Sequence, residues 1–260
     1  MKFFAALLVC VLTLSVLNPL QAMTPAERET ESQSDELVLT KDTPALVAGL
    51  KAKLKDQPLG DMQRQLLEYA FDVATLIPID PHIKSRSLAQ EKVLTSALQA
   101  GQPVFVLDRV KQIKNWRFAA MLGMVGSEAA QQGVSQEVIE PVLMIASDVA
   151  KDPNVGDWRR GVIRTRIGEA FAWLQQDDVA NAFQSGAEAH EAGQVTVVRA
   201  KRSTQETYAL VREQLDAMST SQRFEVVYNA LEGYVALAER FYPQSERRAE
   251  LVYANPAGLG

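Results

Sequence analysis

Three arginines and two tryptophans carry most of the chemical potential of this chain. In NWRFAAMLGMVGSEAAQ, residues 115–131, Trp116 and Arg117 stand side by side; DWRRGVIRTRIGEAFAW, residues 157–173, repeats the pair as Trp158 and Arg159 and adds Arg166 two turns later. At 100° per residue Arg159 and Arg166 lie within about 20° of each other on a helix, inside the apolar arc of Val162, Ile163, Ala170 and Trp173. A guanidinium on such a face requires a partner. Either the two face a groove and receive a carboxylate or phosphate from a bound molecule, or they pair with internal acids such as Asp148 and Glu140, or they run past the apolar surface to water. Trp116 and Trp158, each at a helix start, read first as packing anchors between neighbouring hairpins and second as ligand stackers. Arg117, Arg159, Arg166, Trp116 and Trp158 are the candidate partner-binding residues.

Other chemistries find less footing. HEAGQ at 190–194 shares only His190 and Glu191 with the zinc-protease signature HExxH, because Gln194 occupies the second ligand position. The other histidine, His82, is more than 100 residues away. There is no GxSxG elbow and no phosphate-cradling glycine loop, so no catalytic residue, metal ligand or cofactor is expected. A glycosidase-type carboxylate pair has no fixed spacing, which keeps an all-α cell-envelope hydrolase, or an accessory to one, as the alternative reading.

The chain begins MKFFAALLVCVLTLSVLNPLQA, a lysine, an apolar run of about 15 residues and a Pro-broken stretch ending in Ala22. That layout predicts a secretory signal peptide over 1–22, since the run is short for a span that needs about 20 residues. Cleavage would discard Cys10, the only cysteine, and with it any disulfide or thiol chemistry. Loss of Lys2 takes the formal net charge from −5 to −6, which argues against nucleic acid as a partner. No later apolar run reaches membrane-spanning length. The expected location is therefore periplasmic or secreted, and the expected partner is a protein or peptide of the cell envelope; the sequence is silent on oligomeric state.

These residues must be positioned by helices. After a polar arm over 23–42, helix-start signals recur from Thr43 onward: Thr43 before Pro44, Asp80 before Pro81, Asp157 before Trp158, Ser203 with Glu206 and Ser219 with Gln222. Between them apolar residues fall at three- and four-residue intervals. Only PVFVLDRV at 103–110 and QVTVVRA at 194–200 tempt a strand assignment, and both are short. The basic run VRAKRS at 198–203 reads as a solvated loop, or as a contact to anionic envelope material. Aligning Asn115 with Asp157 pairs Trp116 with Trp158, Arg117 with Arg159, Gly126 with Gly168 and Ala130 with Ala172. Each copy continues into a second helical segment, from Ser135 and from Asp177, and an inserted helix between Gln194 and Ser219 breaks the period. The all-apolar run FAAMLGMVG at 118–126 fits a helix covered on both sides, and Gly123, Gly126 and Gly168 suit close helix approach.

The second copy resembles a tetratricopeptide (TPR-like) repeat: Ile167, Gly168 and Phe171 in the first helix and Ala180 and Ala187 in the second fall at that family's packing positions. Val125, Gly126 and Ala129 echo it in the hairpin of 115–151, and residues 228–253 do so loosely. The period of about 42 exceeds the family's 34, Arg164 replaces a favoured tryptophan, and Gln175 stands where glycine often makes the turn. The resemblance implies an all-α domain over 43–260, stacked antiparallel hairpins in a right-handed superhelix, with a concave groove that binds peptides or proteins.

Overall fold

In the computed structural model of the protein, residues 43–185 and 187–242 are described. The expected signal peptide, the polar arm and the part of the loose third copy beyond residue 242 lie outside them. The described residues are all-α: eleven helices and no strand. They are α1 (Thr43–Lys51), α2 (Asp61–Leu76), α3 (Ile83–Gln99), α4 (Pro103–Val110), α5 (Arg117–Gln131), α6 (Gln136–Lys151), α7 (Asp157–Trp173), α8 (Asp177–Gln184), α9 (Ala189–Arg202), α10 (Tyr208–Ser219) and α11 (Phe224–Phe241). Both strand-tempting stretches are helical, as α4 and as part of α9. Their β-branched residues are core residues: Val106, Val110 and Val195 are fully buried, so packing outweighs a propensity difference of a few tenths of a kcal/mol.

Several boundaries differ from expectation. Asp157 is the first residue of α7 rather than its cap, which is Gly156. Helix α3 starts at Ile83, α10 at Tyr208 and α11 at Phe224, each later than its signal. In the turn before α10 the Thr204 and Thr207 hydroxyls each accept the other's backbone N–H, and the helix start itself has no side-chain cap. The segment from Asp177 is not one long helix. It stops at Gln184, and Glu188 with Glu191 opens α9 through a capping box in which the Glu188 N–H donates to the Glu191 carboxylate at 3.0 Å. Ala187, a packing position of the resemblance, therefore sits between helices. The basic run at 198–203 is the last turn of α9, where cations face the negative end of the helix dipole, and not a loop.

The helices pack in alternation. α3, α5, α7, α9 and α11 form a row in which each touches the next, while α2 packs on α3, α6 on α5 and α7, α8 on α7, and α10 on α9 and α11. α1 lies against α4 and α6. The α9–α10 pair is thus a regular member of the series and not an insertion. Helix starts in the row at Arg117, Asp157, Ala189 and Phe224 are spaced by 40, 32 and 35 residues, so the order of contacts is periodic although the chain length per hairpin is not.

Close approach occurs where glycines allow it. A Cβ on Gly126 would lie 2.7 Å from Leu143 Cδ2, and one on Gly123 would collide with α7, whereas Gly168 has ordinary clearance of 3.4 Å. Three row helices end alike. In α3, α5 and α7 a residue with positive φ, namely Gly101, Gly133 and Gln175, is followed by an N–H that donates five residues back, from Gln102 to Ala97, Val134 to Ala129 and Gln176 to Phe171. This is the Schellman closure, which satisfies carbonyls left over at a helix end. One large apolar cluster runs from Leu50 to Val198, and a smaller one joins Ala200 with α10 and α11 through Val211, Leu215, Ala230 and Leu237.

Candidate binding groove

A groove of about 400 Å³ runs across the helix row. Its lining has helical spacing within each contributing helix: Met124, Ser127, Glu128 and Gln131 from α5, Arg166, Glu169 and Trp173 from α7, and Gln194, Val197, Val198 and Lys201 from α9. These are steps of three, four and seven, the signature of a single helix face. α3 closes one end with Leu98 and Gln99, and α11 closes the other with Glu232. Three successive row helices, α5, α7 and α9, thus each present one face to a shared space.

The groove lining mixes apolar and charged side chains. Met124, Trp173, Val197 and Val198 supply apolar surface, and Arg166, Lys201, Glu128, Glu169 and Glu232 supply charges of both signs. Arg166 Nη1 donates to both carboxylate oxygens of Glu169 at 2.9 Å. The field of Glu169 is the main reason that the Arg166 guanidinium is held above its ordinary pKa; burial opposes it, while the hydrogen bond and Glu91 on α3 add to it. Glu91 also accepts a hydrogen bond from Arg117, whose guanidinium stacks 4.5 Å from the Trp116 ring centroid. An internal carboxylate thus pairs with Arg166, although the acid is Glu169 on its own helix rather than Asp148 or Glu140, and Arg117 pairs with Glu91.

Of the five candidate residues, Arg166 alone lines the groove. Trp116 and Trp158 meet edge to face, 5.2 Å between centroids and 80° between planes, and so join the first turns of α5 and α7, whereas the groove is built from later turns. Trp116 is 6% exposed and Trp158 46%. Arg159 is buried, with its guanidinium 5.5 Å from the Trp158 ring centroid. Sequence reading passed over Gln131 and Glu232, and met Trp173, Gln194 and Lys201 only in other settings: an apolar arc, an incomplete zinc-protease signature and a basic run. Their signal was the face spacing within each helix, but which face opens onto a shared space depends on contacts between helices.

A second cavity of about 140 Å³ lies among α8, α9 and α10. There Asp177 accepts from Arg199 Nε at 3.0 Å and from Arg202 Nη2. Burial pushes its pKa up, yet the hydrogen bonds and charges of Arg202 and Arg199 prevail and hold it below the usual carboxylate value. Among the described residues no group of three or more His, Cys, Asp or Glu side chains is arranged to hold a metal ion, and no helix is long and apolar enough to cross a membrane. No protein-family model, curated protein or solved structure matches the chain.

Proposed function

We propose that this is an exported helical-repeat binding or scaffold protein, TPR-like in its stacking, that engages a protein or peptide partner of the cell envelope in its groove. The observation that carries the reading is the construction of that groove from one face of each of three successive row helices, α5, α7 and α9, with α3 and α11 adding residues at its ends. Stacked hairpin arrays form extended binding surfaces in this way, because each unit adds a strip of surface to the last. The volume falls within the roughly 300–1,000 Å³ of well-formed ligand sites. An extended peptide suits the lining: an apolar side chain against Trp173, Val197 and Met124, a basic group toward Glu128 and Glu232, and an acidic group toward Lys201. Export rests on the amino-terminal sequence through Ala22.

The test places a photo-crosslinking amino acid in living cells at Gln131 or Gln194, in the groove, and at Asp178, outside it, followed by mass spectrometry of the adducts. A protein crosslinked from the first two positions and not from the third, with yield reduced by Lys201→Glu, is the expected result. Equal crosslinking from all three positions, or none from the groove, removes the groove from the function. Cleavage of wall polymers by the purified chain would favour a hydrolase instead.

A further inference from the structure

Helix α2 is apolar on two sides. One side, Leu67, Phe71 and Ala74, is turned inward, with Phe71 and Ala74 buried. The other side carries Met62, Leu66, Tyr69, Val73 and Leu76, exposed at 68%, 51%, 69%, 45% and 80%. The steps between these five are four, three, four and three, which is the heptad spacing of a coiled-coil seam. Scattered surface apolar residues need no explanation, but five in register along a 16-residue helix form a continuous stripe. α2 packs chiefly on α3, so no other described helix covers the stripe.

We propose that this stripe is the interface for a second copy of the same chain, α2 against α2 in antiparallel orientation about Tyr69. In that pairing Met62 lies opposite Leu76, Leu66 opposite Val73, and the two tyrosines flank the two-fold axis, an isologous contact. The flanking positions fit a self-pairing. They are Gln63, Gln65, Ala70 and Asp72, and the antiparallel register sets Gln65 beside Asp72 of the second copy, an amide facing a carboxylate with no like charges opposed. The opposed helices also place unlike dipole ends together.

Helix α11 supplies the contrast. It exposes Phe224, Tyr228, Leu231 and Val235 at steps of four, three and four. Its flanks, however, include Glu225 and Glu232, which an antiparallel self-pairing would set against each other across the seam. Charge therefore selects α2 over α11 for self-association. The inference is independent of what the groove binds.

The test uses the chain from Met23, which keeps every described residue and omits Cys10. Sedimentation velocity across a concentration series should show a reversible dimer. The Leu66→Glu/Val73→Glu variant should be monomeric with unchanged helical circular dichroism, Leu231→Glu should remain dimeric, and Tyr69→Cys should form a disulfide-linked dimer on mild oxidation. A monomer at every concentration overturns the proposal, as does a dimer abolished by Leu231→Glu and untouched by the α2 variant.

Discussion

The Cα of Gly123 on α5 faces the backbone of Arg166 on α7 so closely that a Cβ there would stand 2.6 Å from Arg166 Cβ and 2.9 Å from its carbonyl carbon. The missing side chain lets α5 and α7 touch at the turn that carries Arg166. Gly123→Ala should therefore destabilise the protein by about 2 kcal/mol, the overpacking cost exceeding the roughly 1 kcal/mol of helix propensity gained. Gly49 on α1 is the control, with nothing within 4 Å of its virtual Cβ. Gly49→Ala should stabilise by about 0.5–1 kcal/mol. Urea denaturation of both variants checks the pair, and a loss at Gly49 equal to that at Gly123 would refute close approach as the cause.

Gln175 holds φ at 62° in the closure after α7, where α3 and α5 use glycine. An L-residue with a Cβ is disfavoured there by about 1–2 kcal/mol, of which glycine's greater freedom in the unfolded chain returns part. Gln175→Gly should raise stability by about 0.5–1 kcal/mol, and thermal unfolding should shift upward. A downward shift would mean that the side chain contributes something its strained backbone conceals.

Asp177 ties the first turn of α8 to the last turn of α9 through Arg199 and Arg202. Its pKa is depressed on folding, so its contribution to stability is complete above the unfolded value of about 3.9 and is lost as pH falls through the lower folded value. At neutral pH Asp177→Asn should cost about 1 kcal/mol, a modest figure because the carboxylate is partly exposed. The gap between wild type and variant should narrow as pH falls below about 4. A gap that stayed constant from pH 7 to pH 3 would count against the ion pairs.

The edge-to-face pair gives an asymmetric expectation. Trp116→Ala, at a buried site, should cost about 3 kcal/mol, and Trp158→Ala, half exposed, about 1 kcal/mol. A double-mutant cycle should return a coupling near 1 kcal/mol. Additive losses would show that the rings touch without interacting.

Helical character and the register of the repeated WR string were legible because periodicity and paired tryptophans are local signals: α5, α6 and α7 fall where the sequence places them. The break between α8 and α9 was not. Its capping box uses Glu188 and Glu191 rather than Ser, Thr, Asp or Asn, and a Glu pair inside DDVANAFQSGAEAHEA looks like ordinary helix surface. The groove was legible only through Arg166. Gln131 and Gln194 are 63 positions apart in the chain, and nothing in either local stretch says that their faces meet one space. The missed positions are set by helix–helix contacts, which a single strand of text encodes only through the small residues that permit them.

The two apolar clusters meet within α9, one ending at Val198 and the other starting at Ala200. α9 thus contributes to both clusters, and the smaller one, which buries fewer side chains, is expected to open before the larger. The groove straddles that seam, since Glu232 comes from the weaker unit and Arg166 and Trp173 from the stronger. A molecule that gripped both sides would act as a latch, and its occupancy should be readable as slowed amide exchange in α10 and α11, far from the contact itself.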